Sequence, residues 1–139
     1  MDNLSYRREI DEAIRAGQRA HSSLLKAKDC LKSAGNWGLL DIFGGGMLIT
    51  FIKRSKMNDA DQLVQQARID LMQFRKELTD VESIAEFHVE TGNFLTFADY
   101  FLDGFLADLL VQSKIQDAKE QVEDAIEKVE YILRQLNDL

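Results

Sequence analysis

Proline is absent from the 139 residues, and most of the eight glycines are gathered between residues 35 and 46. Without proline, nothing covalent ends a helix, so long helices are expected wherever glycine does not intervene. A single cysteine, Cys30, excludes an internal disulfide. The fold must therefore rest on buried apolar surface, which a chain of this length can supply, and a reducing cytoplasm is the expected location. Residues 1–8 carry no apolar run of the signal-peptide kind, which agrees with that expectation. The two histidines, His21 and His88, are far apart and neither belongs to an HExxH or Glu-x-x-His pattern, so no catalytic or zinc signature is present.

Long apolar runs are missing too. Residues 37–52 are interrupted by Asp41 and three glycines, and residues 94–111 by Asp99, Asp103 and Asp108. Neither reaches the roughly 20 apolar residues that a membrane-spanning helix needs. Basic residues are absent between Thr79 and Gln112, where seven carboxylates stand without a Lys or Arg. The whole chain carries a net charge of −7. Nucleic acid is thereby excluded as an expected partner of that stretch, and a basic protein or a metal ion suits it better.

What is present is heptad spacing. Tyr6, Ile10, Ala13, Gly17, Ala20, Leu24, Ala27, Leu31 and Ala34 alternate steps of four and three. Met57, Ala60, Val64, Ala67, Leu71, Phe74 and Leu78 do the same, as do Ile115, Ala118, Val122, Ala125, Val129, Ile132 and Leu136. Each is the seam of a coiled-coil-like helix. Many seam positions are Ala or Gly, so the backbones can approach closely. The fold class expected is all-α: an elongated antiparallel bundle of three long helices in a single domain, 1–139. It divides into a helix over 5–34, a Gly/aromatic loop over 35–46, a helix over 47–80, an acidic connector over 81–93, and an apolar helical segment with a further helix over 94–138. A short strand near 84–90 is an open alternative for the connector, since Phe87 and Val89 alternate with Glu86, His88 and Glu90. The narrow seams leave Ile14, Leu25, Ile69 and Leu133 to be covered, which points to a homodimer.

The chain also resembles itself, since 41–78 superposes on 99–136 without a gap and with eleven identities. Asp41, Phe43, Gly46, Ser55 and Lys56 fall on Asp99, Phe101, Gly104, Ser113 and Lys114, and both heptads stay in register. Fixed-offset similarity of this kind marks a repeated helical unit. The apolar segment and the heptad of each unit are out of phase at Ser55 and Ser113, where a cap, kink or stutter is expected beside Lys56 and Lys114.

The most distinctive stretch is Asn36-Trp37-Gly38-Leu39-Leu40-Asp41-Ile42-Phe43-Gly44-Gly45-Gly46. Its large aromatics imply packing, and its carboxylate, like Asp99, suits a helix cap or a lysine partner. Together with Ser55-Lys56 and Phe97-Ala98-Asp99-Tyr100-Phe101-Leu102-Asp103-Gly104, it resembles a family of bacterial all-helical proteins that share an Asn-Trp-Gly, Asp and Gly-Gly-Gly signature. The resemblance covers most of the chain and implies the fold and the importance of the loop, with no activity, cofactor or substrate attached.

The residues therefore lead to a non-catalytic interaction or scaffolding protein, with no cofactor and an unknown protein partner. Its candidate motif is Asn36, Trp37, Gly38, Asp41, Phe43, Gly44, Gly45, Gly46 and Lys56, with Asp99, Phe101, Asp103, Gly104 and Lys114 in the second unit. One alternative is a metal or small-ligand site built from Glu86, His88, Glu90, Asp99 and Asp103. Another is peripheral membrane binding through Trp37, Phe43, Met47 and Phe51.

Overall fold

The computed structural model describes the backbone of residues 3–44, 47–84, 89–101 and 115–138, and the side chains of residues 4–32, 61–81, 94–99, 101 and 116–138. All the regular structure among them is helical. Helix α1 spans Asn3–Gly44, α2 Met47–Ile84, α3 Val89–Tyr100 and α4 Ile115–Asn137. At about 1.5 Å per residue, the 42 residues of α1 extend roughly 60 Å.

The helices form because the heptad stripes bury. Ile10, Ala13, Ala16, Ala20, Leu24, Ala27 and Leu31 of α1 are buried, as are Val64, Ala67, Leu71, Phe74, Leu78 and Val81 of α2. Helix α4 adds Ala118, Val122, Ala125, Ile126, Val129, Ile132 and Leu136, and α3 adds Phe94 and Ala98, with Phe101 just beyond its end. Each described seam residue named above is buried except Tyr6, which packs partly buried against this core. Asp117 in the first turn of α4 and Arg134 in its last oppose the partial charges of the helix ends.

Helix α1 packs most extensively on α2 and also on α4, and α3 touches α2 and α4. Among the described residues α2 and α4 make no backbone approach to each other, so the packing order closes as α1, α2, α3, α4. Gly17 shows how close the approach is. A Cβ built there would lie 2.6 Å from Leu133 Cδ2 and 2.8 Å from Phe74 Cε1. Glycine is needed at this point for space, inside an otherwise ordinary helix.

Several sequence expectations change. The loop expected over 35–46 is helical as far as Gly44. With no proline, continuing the helix through Gly35 and Gly38 costs only about 0.5–1 kcal/mol for each glycine and removes none of the backbone donors that a helix needs. No helix end falls at Ser55, because α2 runs unbroken through it and Lys56. The strand alternative for 84–90 is overturned at both ends: Ile84 closes α2, and Val89 and Glu90 open α3. The connector expected over 81–93 likewise contracts, with 81–84 and 89–93 helical. Alternation of Phe87 and Val89 is too short a signal to outweigh the helical stretches on either side. Of the four residues expected to need cover, Ile14 and Leu133 are partly buried against the core, whereas Leu25 and Ile69 are 39% and 60% exposed.

Candidate functional site

The motif residues fall in three groups. Asn36, Trp37, Gly38, Asp41, Phe43 and Gly44 lie on the last turns of α1, and Lys56 on α2, with only their backbones described. Gly45, Gly46, Asp103, Gly104 and Lys114 lie outside the described residues, as do Glu86 and His88 of the metal alternative. Asp99 and Phe101 are described, and they do different work. The Asp99 carboxylate accepts a 2.8 Å charge-assisted contact from Arg75 Nη2, tying α3 to α2 on an exposed edge. Phe101 is buried in the core. The expectation that Asp99 caps a helix or meets a lysine is thus corrected to an arginine partner on a neighbouring helix. Among the membrane-alternative residues no side chain is described, and no described helix is long and apolar enough to cross a membrane.

An aromatic cluster fastens α3. Phe74 and Phe94 meet edge to face with centroids 5.4 Å apart, and Phe97 stands 6.5 Å from Phe94 and 5.9 Å from Phe101. Lys128 of α4 places its ammonium 4.8 Å from the Phe97 centroid and pairs with Asp124 at 2.9 Å. The short helix is thereby held from both sides by apolar area and by a cation over a ring.

Polar side chains line the flanks of the α1 contacts. His21 Nε2 and Glu130 Oε1 are 2.9 Å apart and bridge α1 to α4. Ser23 donates a hydrogen bond to Asp70 between α1 and α2, and Gln66 donates to the same carboxylate from one turn away. Nearer the start of α1, oxygens of Glu9, Glu12 and Glu77 gather within 4.8 Å of one another. Glu77 accepts from Gln73 through Oε1, while its buried Oε2 has no hydrogen-bond partner. Desolvation at this contact raises the Glu9 carboxyl above its ordinary 4.5. The negative charges of Glu12, Asp80 and Glu77 add to the rise, and Arg8 opposes it.

Sequence reasoning missed these flank pairs. Their signal was present in the heptad: Glu9 and Ser23 fall beside the α1 seam on one flank, and His21 on the other. What was lacking was the register of one helix on the next. The chain matches no protein-family description, no curated protein and no solved structure.

Proposed function

We propose that the chain is a non-catalytic interaction or scaffolding protein that acts as a homodimer of elongated, antiparallel helical bundles in the cytoplasm. The observation that carries the bundle is the mirror register of contacts between α1 and α2. Along α1 the contacting residues advance from Glu12 through Gly17 to Ser23, while their partners on α2 retreat from Glu77 through Phe74 to Asp70. Two rods folded back on each other give this pattern. The α1–α4 pairs follow suit, since moving forward from Gly17 to His21 moves the partner back from Leu133 to Glu130.

Burial supports the internal repeat as part of this reading. Val64, Ala67, Leu71, Phe74 and Leu78 are buried, and so are their counterparts in the second unit, Val122, Ala125, Val129, Ile132 and Leu136. The likeness of residues 36–46 to the Asn-Trp-Gly family of bacterial helical proteins belongs to the same proposal, with Trp37 and its neighbours as a contact surface for a further protein. Long rods provide reach and exposed faces, which suits bringing surfaces together. The metal alternative loses support at Asp99, whose carboxylate is engaged by Arg75.

Light scattering and small-angle X-ray scattering test the proposal. The expected mass is twice the 15.9 kDa of one chain. The expected radius of gyration is well above the roughly 14 Å of a compact monomer of this length. A monomeric mass at every concentration would remove the homodimer, and a compact radius would remove the elongated bundle.

A further inference from the structure

We infer that the groove between α1 and α4 is a self-association surface, occupied by the same groove of a second copy of this chain. The inference rests on the homodimer reading and names the face that it uses. The His21–Glu130 bridge marks the edge along which the two helices meet. One heptad along a helix returns to the same side, so Lys28 follows His21 on the α1 wall and Glu123 precedes Glu130 on the α4 wall. Leu25 and Lys32 lie within a turn or so of Lys28. Glu120 and Glu127 stand in the same relation to Glu123.

These walls carry opposite charge and lie open. Lys32, Glu120 and Glu127 are exposed, Lys28 and Glu123 are half-buried, and Leu25 is 39% exposed. Among the described residues no ion pair engages Lys28, Lys32 or Glu127, and Glu123 is held only by Lys119 at 3.8 Å. The α1 side of the groove therefore carries Lys28 and Lys32 with the exposed Asp29 beside them, and the α4 side carries Glu120, Glu123 and Glu127 with Lys119 beside Glu123.

This pattern selects its occupant. A basic peptide is attracted by the α4 wall and repelled by the α1 wall, and an acidic one meets the reverse. A second copy satisfies both walls. Rotating it by half a turn about an axis parallel to the helices lays its α4 wall on the first copy's α1 wall, and its α1 wall on the first copy's α4 wall. The levels along the rods match, because the α1–α4 register is the same in both copies. The contact is isologous and closes at two chains. Each Leu25, on an α1 wall, is then covered by the α4 wall of the other copy.

Charge exchange tests it. Lys28→Glu with Lys32→Glu makes both walls acidic, and Glu120→Lys with Glu127→Lys makes both basic. Each double variant alone is expected to show the mass of one chain by light scattering while circular dichroism stays helical. An equimolar mixture is expected to recover the two-chain mass, because each wall again faces its opposite. The wild-type dimer is expected to weaken as salt rises. A dimer that survives either reversal, or a mixture that stays monomeric, overturns the inference while leaving the homodimer itself standing. A monomeric wild type overturns both, and a wild type that stays monomeric but binds a poly-lysine peptide assigns the α4 wall to a basic partner instead.

Discussion

The contact of α1 with α2 and α4 is built on alanine and glycine, whereas α3 is held by phenylalanine. The difference follows from length. Over the 42 residues of α1, small side chains let the neighbours lie close and gather many weak dispersion contacts along the rod. Helix α3 has 12 residues and little length to work with. It needs large rings, each burying on the order of 150–250 Å², to gain comparable hold per residue. Phe74 belongs to both regimes, since it faces Gly17 on one side and Phe94 on the other.

Truncating Phe74 is expected to break both regions together. Phe74→Ala should cost about 3–5 kcal/mol in chemical denaturation, the range for a fully buried aromatic. Phe94→Ala is expected to act differently, releasing α3 while the α1–α2 contact persists. Hydrogen exchange would register this as lost protection confined to residues 89–101. If both variants unfold the chain equally, the two regions are one cooperative unit and the comparison fails.

A smaller effect separates close approach from helix propensity. Gly17→Ala adds a methyl that meets Leu133 at 2.6 Å and Phe74 at 2.8 Å unless they shift, although alanine is the better helix former. Overpacking of about 1–3 kcal/mol set against a propensity gain of about 1 kcal/mol leaves an expected net loss of up to about 2 kcal/mol. Thermal melting reads it directly. A more stable variant would show that the helices have room to separate, and that small residues there do not set the spacing.

The smallest effect concerns the acidic end of the α1–α2 contact. Because the folded-state value of Glu9 is raised, the folded chain holds its proton more tightly than the unfolded chain. Its stabilising contribution is fully present below the ordinary value near 4.5 and is lost as pH climbs through the raised one. Glu9→Gln should therefore flatten part of the decline in melting temperature between mildly acidic and neutral pH. Parallel pH profiles for the two proteins would show that the carboxylate gathering has no energetic consequence.

Legibility in the sequence divided along the same line. The stripes from Ile10 to Leu31, Val64 to Leu78 and Ala118 to Leu136 were readable because helical periodicity is a local property, and burial follows from it. Residues 35–44 misled because several glycines in a short stretch look like a loop. Whether a helix crosses them depends on what it packs against, which local pattern does not contain. The Asp99–Arg75 contact was invisible for a related reason: its partners sit on different helices, whose relative placement no spacing rule supplies.

The amino-acid order alone determined that this chain forms helices, which face of each is apolar, and where small residues permit close approach, since all three are decided within a few turns of one rod. Only the packed structure decided which rod lies beside which, and hence that His21 meets Glu130 and that three glutamates gather at one end. The heptad repeats along much of each long rod, so several registers would satisfy it equally. The choice among them falls to the fit of whole faces, such as the single place where Gly17 admits both Phe74 and Leu133.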